Sequence, residues 1–107
     1  SEKVYKSLLS AFNYIEENLS DAYPEVLEYL GIRTVLYGAT INALKADVSI
    51  SIVRKITEAF IKKYPKWNKN DYISALSRAK RLYLRLLRLK MYRLCRLLAH
   101  IHLKISV

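Results

Sequence analysis

Residues 71–104 read DYISALSRAKRLYLRLLRLKMYRLCRLLAHIHLK, and the fold turns on this stretch. It holds no glycine and no proline. Leu76, Ala79, Tyr83, Leu84, Leu87, Met91, Leu94, Leu98 and Ile101 return at intervals of three and four, the period of a helix with one apolar face. Asn70 suits an N-cap, and Asp71 favours a first helical turn. With nothing to interrupt it, the pattern predicts one long amphipathic helix over 71–104. At 100° per residue, Arg78, Arg81, Arg85, Arg88, Arg93 and Arg96 fall within an arc of about 140°, with Tyr92 among them. The expected rod has an oily back and a ladder of six arginines.

Length sharpens that expectation. Thirty-four helical residues span about 51 Å, whereas a compact chain of this size has a radius of gyration near 13 Å and a diameter of roughly 35 Å. A straight rod would overhang its own domain. Its apolar face would then be sealed by partner subunits, through Leu84, Leu87, Met91, Leu94, Leu98 and Ile101. The partner would be an identical copy or a paralogue. A kink would lessen the need.

Working back from residue 71, Lys66 to Asn70 is a polar link with Trp67 as its hydrophobic anchor. Pro65 ends a preceding helix, because the residue before proline is pushed out of helical geometry. That helix is capped by Asp47, Ser49 or Ser51 and buries Ile52, Val53, Ile56, Ala59 and Phe60. Residues 48–53 alternate like a strand, but six residues without a partner make no sheet. Thr34 to Ala46 predicts another helix, with Gly38 at a close crossing. Pro24 starts a short helix, Glu25 and Glu28 lie at its positive end, and Gly31 suits a stop. Ser20-Asp21 breaks the first helix, which runs from about Glu2 to Leu19 on Tyr5, Leu8, Phe12, Ile15 and Leu19. Tyr5, Tyr29 and Tyr83 fit core or boundary positions. With two glycines and two prolines in 107 residues, multi-strand folds are disfavoured. The fold class is all-α. It is a single helical domain (1–107) of four or five helices, with a short-helix part (1–65) and the long Arg-rich helix (71–104) in a bundle.

Charge is the functional signal. The chain has 19 Lys+Arg against 9 Asp+Glu, a net charge of +10. Residues 1–50 carry four basic and seven acidic side chains, and residues 51–107 carry fifteen and two. After Asp71 there is no acid. Such asymmetry points to a polyanion. Arginine grips phosphate oxygens through a planar bidentate fork, so Arg78, Arg81, Arg85, Arg88, Arg93 and Arg96 are the expected nucleic-acid contacts. Tyr92 lies beside them, stacking on a base or packing over Arg88 and Arg96. Arg54, Lys55, Lys62, Lys63, Lys66 and Lys69 are further basic candidates. No Asn or Gln stands among the arginines to read bases, so backbone contact is expected.

Other chemistries find little support. His100 and His102 diverge on a helix and share no metal, and no cofactor motif or phosphate-binding glycine loop occurs. Cys95 reads as a core thiol without a histidine base. No carboxylate pair is placed for catalysis, so no catalytic residue, cofactor or small-molecule substrate is expected. The polar first turn does not read as a signal peptide, and the free cysteine suits a reducing compartment. The longest uncharged run, Thr34 to Leu44, is 11 residues, short of the ~20 that span a bilayer. Laying the last helix on anionic lipid is a third reading, least favoured because its apolar face has no Trp.

Two families bear a resemblance. A small basic helical chain with arginines 78, 81, 85, 88, 93 and 96 on one helix and an overhanging apolar face resembles the nucleocapsid proteins of filamentous archaeal viruses. That resemblance implies paired subunits that wrap double-stranded DNA without sequence preference, the arginine face lining the channel, inside a virion. Residues 72–94, YISALSRAKRLYLRLLRLKMYRL, look like the core helix of the helical domain of archaeal GINS subunits, which implies an intracellular scaffold of the replicative helicase. GINS subunits also carry a small β-domain, absent from these 107 residues, which ranks that reading second.

Overall fold

Residues 24–45 form the unbroken central rod of the molecule, where the sequence pattern placed two helices and a stop. The computed structural model describes residues 2–19 and 23–106, with side chains through Ile101; the break expected at Ser20-Asp21 and the His102 side chain lie outside them. Helix α1 spans Glu2–Leu19 and α2 Pro24–Gly31. A π-helical segment (Ile32–Ala39) joins α2 directly to α3 (Thr40–Lys45). Helix α4 spans Ile50–Lys63, two 3₁₀ turns follow (Trp67–Lys69 and Asp71–Ala75), and α5 (Arg78–Arg88) and α6 (Tyr92–Ser106) complete the order. That makes five helical rods, and no strand occurs among the described residues.

Gly31 does not stop a helix. Its φ of −65° is helical, and a Cβ there would stand 2.6 Å from the Phe60 ring and 2.7 Å from that of Phe12. The missing side chain lets aromatics of α1 and α4 close on the rod. Gly38 does serve a crossing, with Leu8 of α1 3.3 Å from where its Cβ would be. Between them the π segment turns Ile32, Val35, Leu36 and Ala39 inward. α1, α4, α5 and α6 all pack around the rod, which is why Ile32, Leu36, Ala39, Ala43 and Leu44 are 0% exposed. The rod keeps only a narrow open side, where Glu25, Val26 and Arg33 are exposed, and so it needs little polar face.

The continuous 71–104 helix is not formed. Helix α5 ends at Arg88, and α6 begins at Tyr92. The reversal is a left-handed cap on Lys90, φ 62°. Lys90 N–H donates to the Leu87 carbonyl (3.0 Å) and Met91 N–H to that of Leu86 (2.9 Å), the nested pair that usually closes on glycine. The rod ends the same way at Asp47, φ 55°, with bonds to Leu44 (3.0 Å) and from Val48 to Ala43 (2.9 Å). Packing explains the break. Helix α5 buries Tyr83, Leu84 and Leu87, and α6 buries Tyr92, Cys95 and Ala99. A straight helix could not lay both faces on one rod. The molecule measures 38 × 27 × 26 Å, so the overhang that suggested a partner is absorbed by folding back.

The other end of the expected helix is also revised. Asn70 accepts the Tyr72 N–H (2.9 Å), but it caps a 3₁₀ turn. Ser77 caps α5, accepting the Lys80 N–H at 3.3 Å. Ser49 is the cap of α4, accepting from Ser51 N–H. On α4, Val53 and Phe60 are buried and Ile56 is half-buried, but Ile52 and Ala59 are exposed, and Thr57 takes a core place instead. Trp67 is buried, as is Tyr5. Cys95 is fully buried, and burial pushes its thiol up to about 12.

One buried polar chain fixes α5 to the rod. Thr40 Oγ1 donates its single proton to the Leu36 carbonyl at 2.5 Å, leaving it to accept from the Tyr83 hydroxyl at 2.7 Å. Burial raises the Tyr83 pKa above the usual phenol value.

Candidate nucleic-acid interface

Helix α5 owes its position to its two faces. Tyr83, Leu84 and Leu87 lock one face inward, which leaves Arg78, Arg81, Arg85 and Arg88 outward and exposed. Their spacing of three, four and three residues sets them along about 15 Å of one helix face. None of them makes an ion pair among the described residues, where the pairs are Lys6–Glu2, Lys63–Glu16 and His100–Asp47. Four guanidinium groups therefore face solvent with their hydrogen-bonding forks unengaged by acid. Leu82, at the edge of this arc toward α6, and Leu89, just past the end of α5, are 48% and 61% exposed. Lys80, on the flank, reaches back over the Tyr37 ring at 5.3 Å.

The other two arginines leave the ladder. Arg93 is exposed, but on the first turn of α6, beyond the reversal. Arg96 is half-buried, and its guanidinium donates to the Val48 carbonyl at 2.7 Å. It ties α6 to the turn before α4, and its Nε is buried without a partner among the described residues. Tyr92 is not on the arginine face at all. It is 4% exposed, and it packs under Arg54, whose guanidinium carbon lies 5.6 Å from the ring centroid, not over Arg88 and Arg96. Burial, with the Glu58 carboxylate second, raises its hydroxyl pKa against the opposing effect of Arg54.

The further basic candidates spread over the surface. Arg54 and Lys55 are exposed on α4, as are Lys62 and Lys63 at its end and Lys66 and Lys69 in the link. Lys63 is engaged with Glu16 at 2.6 Å. The same carboxylate accepts from the Tyr64 hydroxyl, whose pKa is raised by burial and by that carboxylate.

Of the expected partner-facing residues, Leu84 (2%) and Leu87 (1%) are spent inside the molecule. Helix α5 turns them toward the rod once the chain folds back. Met91, Leu94 and Ile101 are exposed, Leu98 is half-buried, and Leu97 joins them at 54% exposed. With Ala79 and Leu82, Leu98 and Ile101 edge an apolar groove of about 200 Å³.

Sequence reasoning missed what the acids do. Asn70 Nδ2 donates to the Glu25 carbonyl (3.0 Å) and to Glu28 Oε1 (2.9 Å), and Glu25 Oε1 accepts the Asp71 N–H at 3.3 Å. These acids hold the 66–75 link against α2. His100 meets Asp47 at 3.1 Å. No group of three His, Cys, Asp or Glu side chains could hold a metal ion among the described residues, and no helix there is long and apolar enough to cross a membrane. The chain matches no protein-family model, no curated protein and no solved structure.

Proposed function

We propose that this protein is a structural nucleic-acid-binding subunit that coats or wraps duplex DNA through phosphate contacts, as a nucleocapsid subunit of a virion does. The observation that carries the reading is the α5 ladder: Arg78, Arg81, Arg85 and Arg88, exposed and unpaired with acid among the described residues. Phosphate contacts position a protein on a duplex without reading its sequence. The exposed α6 stripe of Leu94, Leu97 and Ile101 supports assembly with a second copy or a paralogous subunit, as coating requires. The test pairs Arg81→Gln with Arg85→Gln. Removing two phosphate contacts should weaken duplex binding equally for unrelated sequences and make the slope of log K against log salt shallower by about 2. An unchanged slope would remove α5 from the interface.

A second reading has its own observation. Leu82 and Leu89 stand exposed beside the arginine arc, and apolar side chains there favour a protein surface over a phosphate backbone. On that reading the protein is a helical scaffold subunit of a replication complex, as the GINS-like segment implies. It would bind duplex no better than the double variant does.

A further inference from the structure

The first turns of α4 and α6 meet at a cavity of about 610 Å³ whose walls include Ser51, Arg54, Lys90, Tyr92 and Arg93. Three cationic residues from three segments line it: Arg54 from α4, Lys90 from the reversal and Arg93 from α6. Lys90 is at this place because of its left-handed backbone, so the break in the expected helix builds the site. Glu58, a turn beyond Arg54, is not among the lining residues.

The backbone adds to the charge. Helices α4 and α6, of 14 and 15 residues, both begin at the wall of this cavity; Ser49 already caps α4, so it is the first-turn N–H groups of α6 that suit an anion. No side-chain cap closes the start of α6 among the described residues. Met91 accepts the Cys95 N–H through its carbonyl at 3.1 Å, and a thioether is too weak an acceptor to cap the turn.

We propose that this notch binds a phosphate group. The inference deepens the duplex-binding reading, since the phosphate it implies is one of the nucleic-acid backbone, gripped apart from the α5 ladder. A free phosphate ion or a phosphorylated small molecule offers the same chemistry. The Ser51 hydroxyl and the three cations supply the donors.

Amide resonances of Ile50, Ser51, Arg93 and Leu94 report the site in a titration with inorganic phosphate against chloride at constant ionic strength. Saturable shifts are expected in the unaltered protein and in the ladder variant (Arg81→Gln with Arg85→Gln). They should vanish in Arg54→Gln with Arg93→Gln. Lys90→Gly, which keeps the turn and removes its charge, should weaken phosphate several-fold and separates lost binding from lost folding. A second titration uses a short duplex. Shifts at the same four amides assign the source to the backbone. Shifts with phosphate but not with duplex keep the notch, assign it to a free phosphate and count against the duplex reading. No saturable shift with inorganic phosphate, or the same shift in the notch variant, overturns the proposal.

Discussion

Replacing Lys90 with glycine reads the fold through the sign of one free-energy change. Lys90 sits at φ 62°, where an L-residue with a Cβ loses roughly 1–2 kcal/mol against the right-handed region and glycine loses little. Part of that gain is cancelled because glycine gives up more backbone freedom on folding. The Lys90 side chain is exposed and makes no ion pair among the described residues, so little else is lost. Lys90→Gly is therefore expected to stabilise the protein by about 0.5–1 kcal/mol, a rise in Tm of about 2–4 °C for a domain of this size. Were residues 71–104 one continuous helix, the same change would place glycine in a helix interior and cost about 0.8 kcal/mol. Urea unfolding followed by far-ultraviolet circular dichroism measures the difference, with an unchanged m value as the sign of an intact transition. Arg85→Gly, exposed in the middle of α5, is the control and should destabilise by about 1 kcal/mol. If Lys90→Gly and Arg85→Gly destabilise alike, the reversal at 89–91 does not exist.

Gly31→Ala should also defy the helical average. Alanine normally gains about 1 kcal/mol in a helix, but here its Cβ would meet the Phe12 and Phe60 rings under 3.0 Å. A net loss of about 1–2 kcal/mol is expected from overpacking, and a gain in chemical denaturation would refute the crossing. Thr40→Val leaves the Tyr83 hydroxyl buried and unpaired, so it should lose more than Tyr83→Phe, about 1–3 against about 1 kcal/mol; equal losses would show that the Tyr83–Thr40 bond is not made. Cys95 should resist thiol reagents in the native protein at pH 8 and react once denaturant unfolds it. Its pKa is raised from 9.0 to about 12, so the fold favours the neutral thiol. The stability this group contributes is complete below pH about 9 and is lost as the pH climbs toward 12. Rapid native-state labelling would contradict its burial.

The helical class was legible because periodicity is local: Tyr5, Leu8 and Phe12 on α1, or Tyr83, Leu84 and Leu87 on α5, mark a buried face without any knowledge of what covers it. The Pro24 start was legible for the same reason, and the α4 cap was narrowed to Asp47, Ser49 or Ser51, of which Ser49 is the one used. The reversal at Lys90 was not. Left-handed caps are usually marked by glycine, and here Asp47 and Lys90 hold that geometry because tertiary packing on both sides demands it. Gly31 misled in the opposite direction, a glycine kept for what packs on it and not for its backbone. The ladder was legible for the four arginines of α5, which share one unbroken helix. Arg93, Arg96 and Tyr92 were misplaced because the wheel was carried across the break, and Arg96 and Tyr92 became internal fastenings of α6. The three-cation notch was out of reach of any one-helix argument, since its members come from α4, the reversal and α6.

The most direct measurement is the affinity of the unaltered protein for a random-sequence duplex across a series of salt concentrations. Four guanidinium groups on α5, each neutralising one phosphate, set a slope of log K against log salt of about −3.6, and a fifth phosphate held in the notch steepens it to about −4.5. A slope in that range, the same for unrelated sequences, is the expected result. No measurable affinity at low salt, or an affinity indifferent to salt, would contradict a phosphate-binding role for α5.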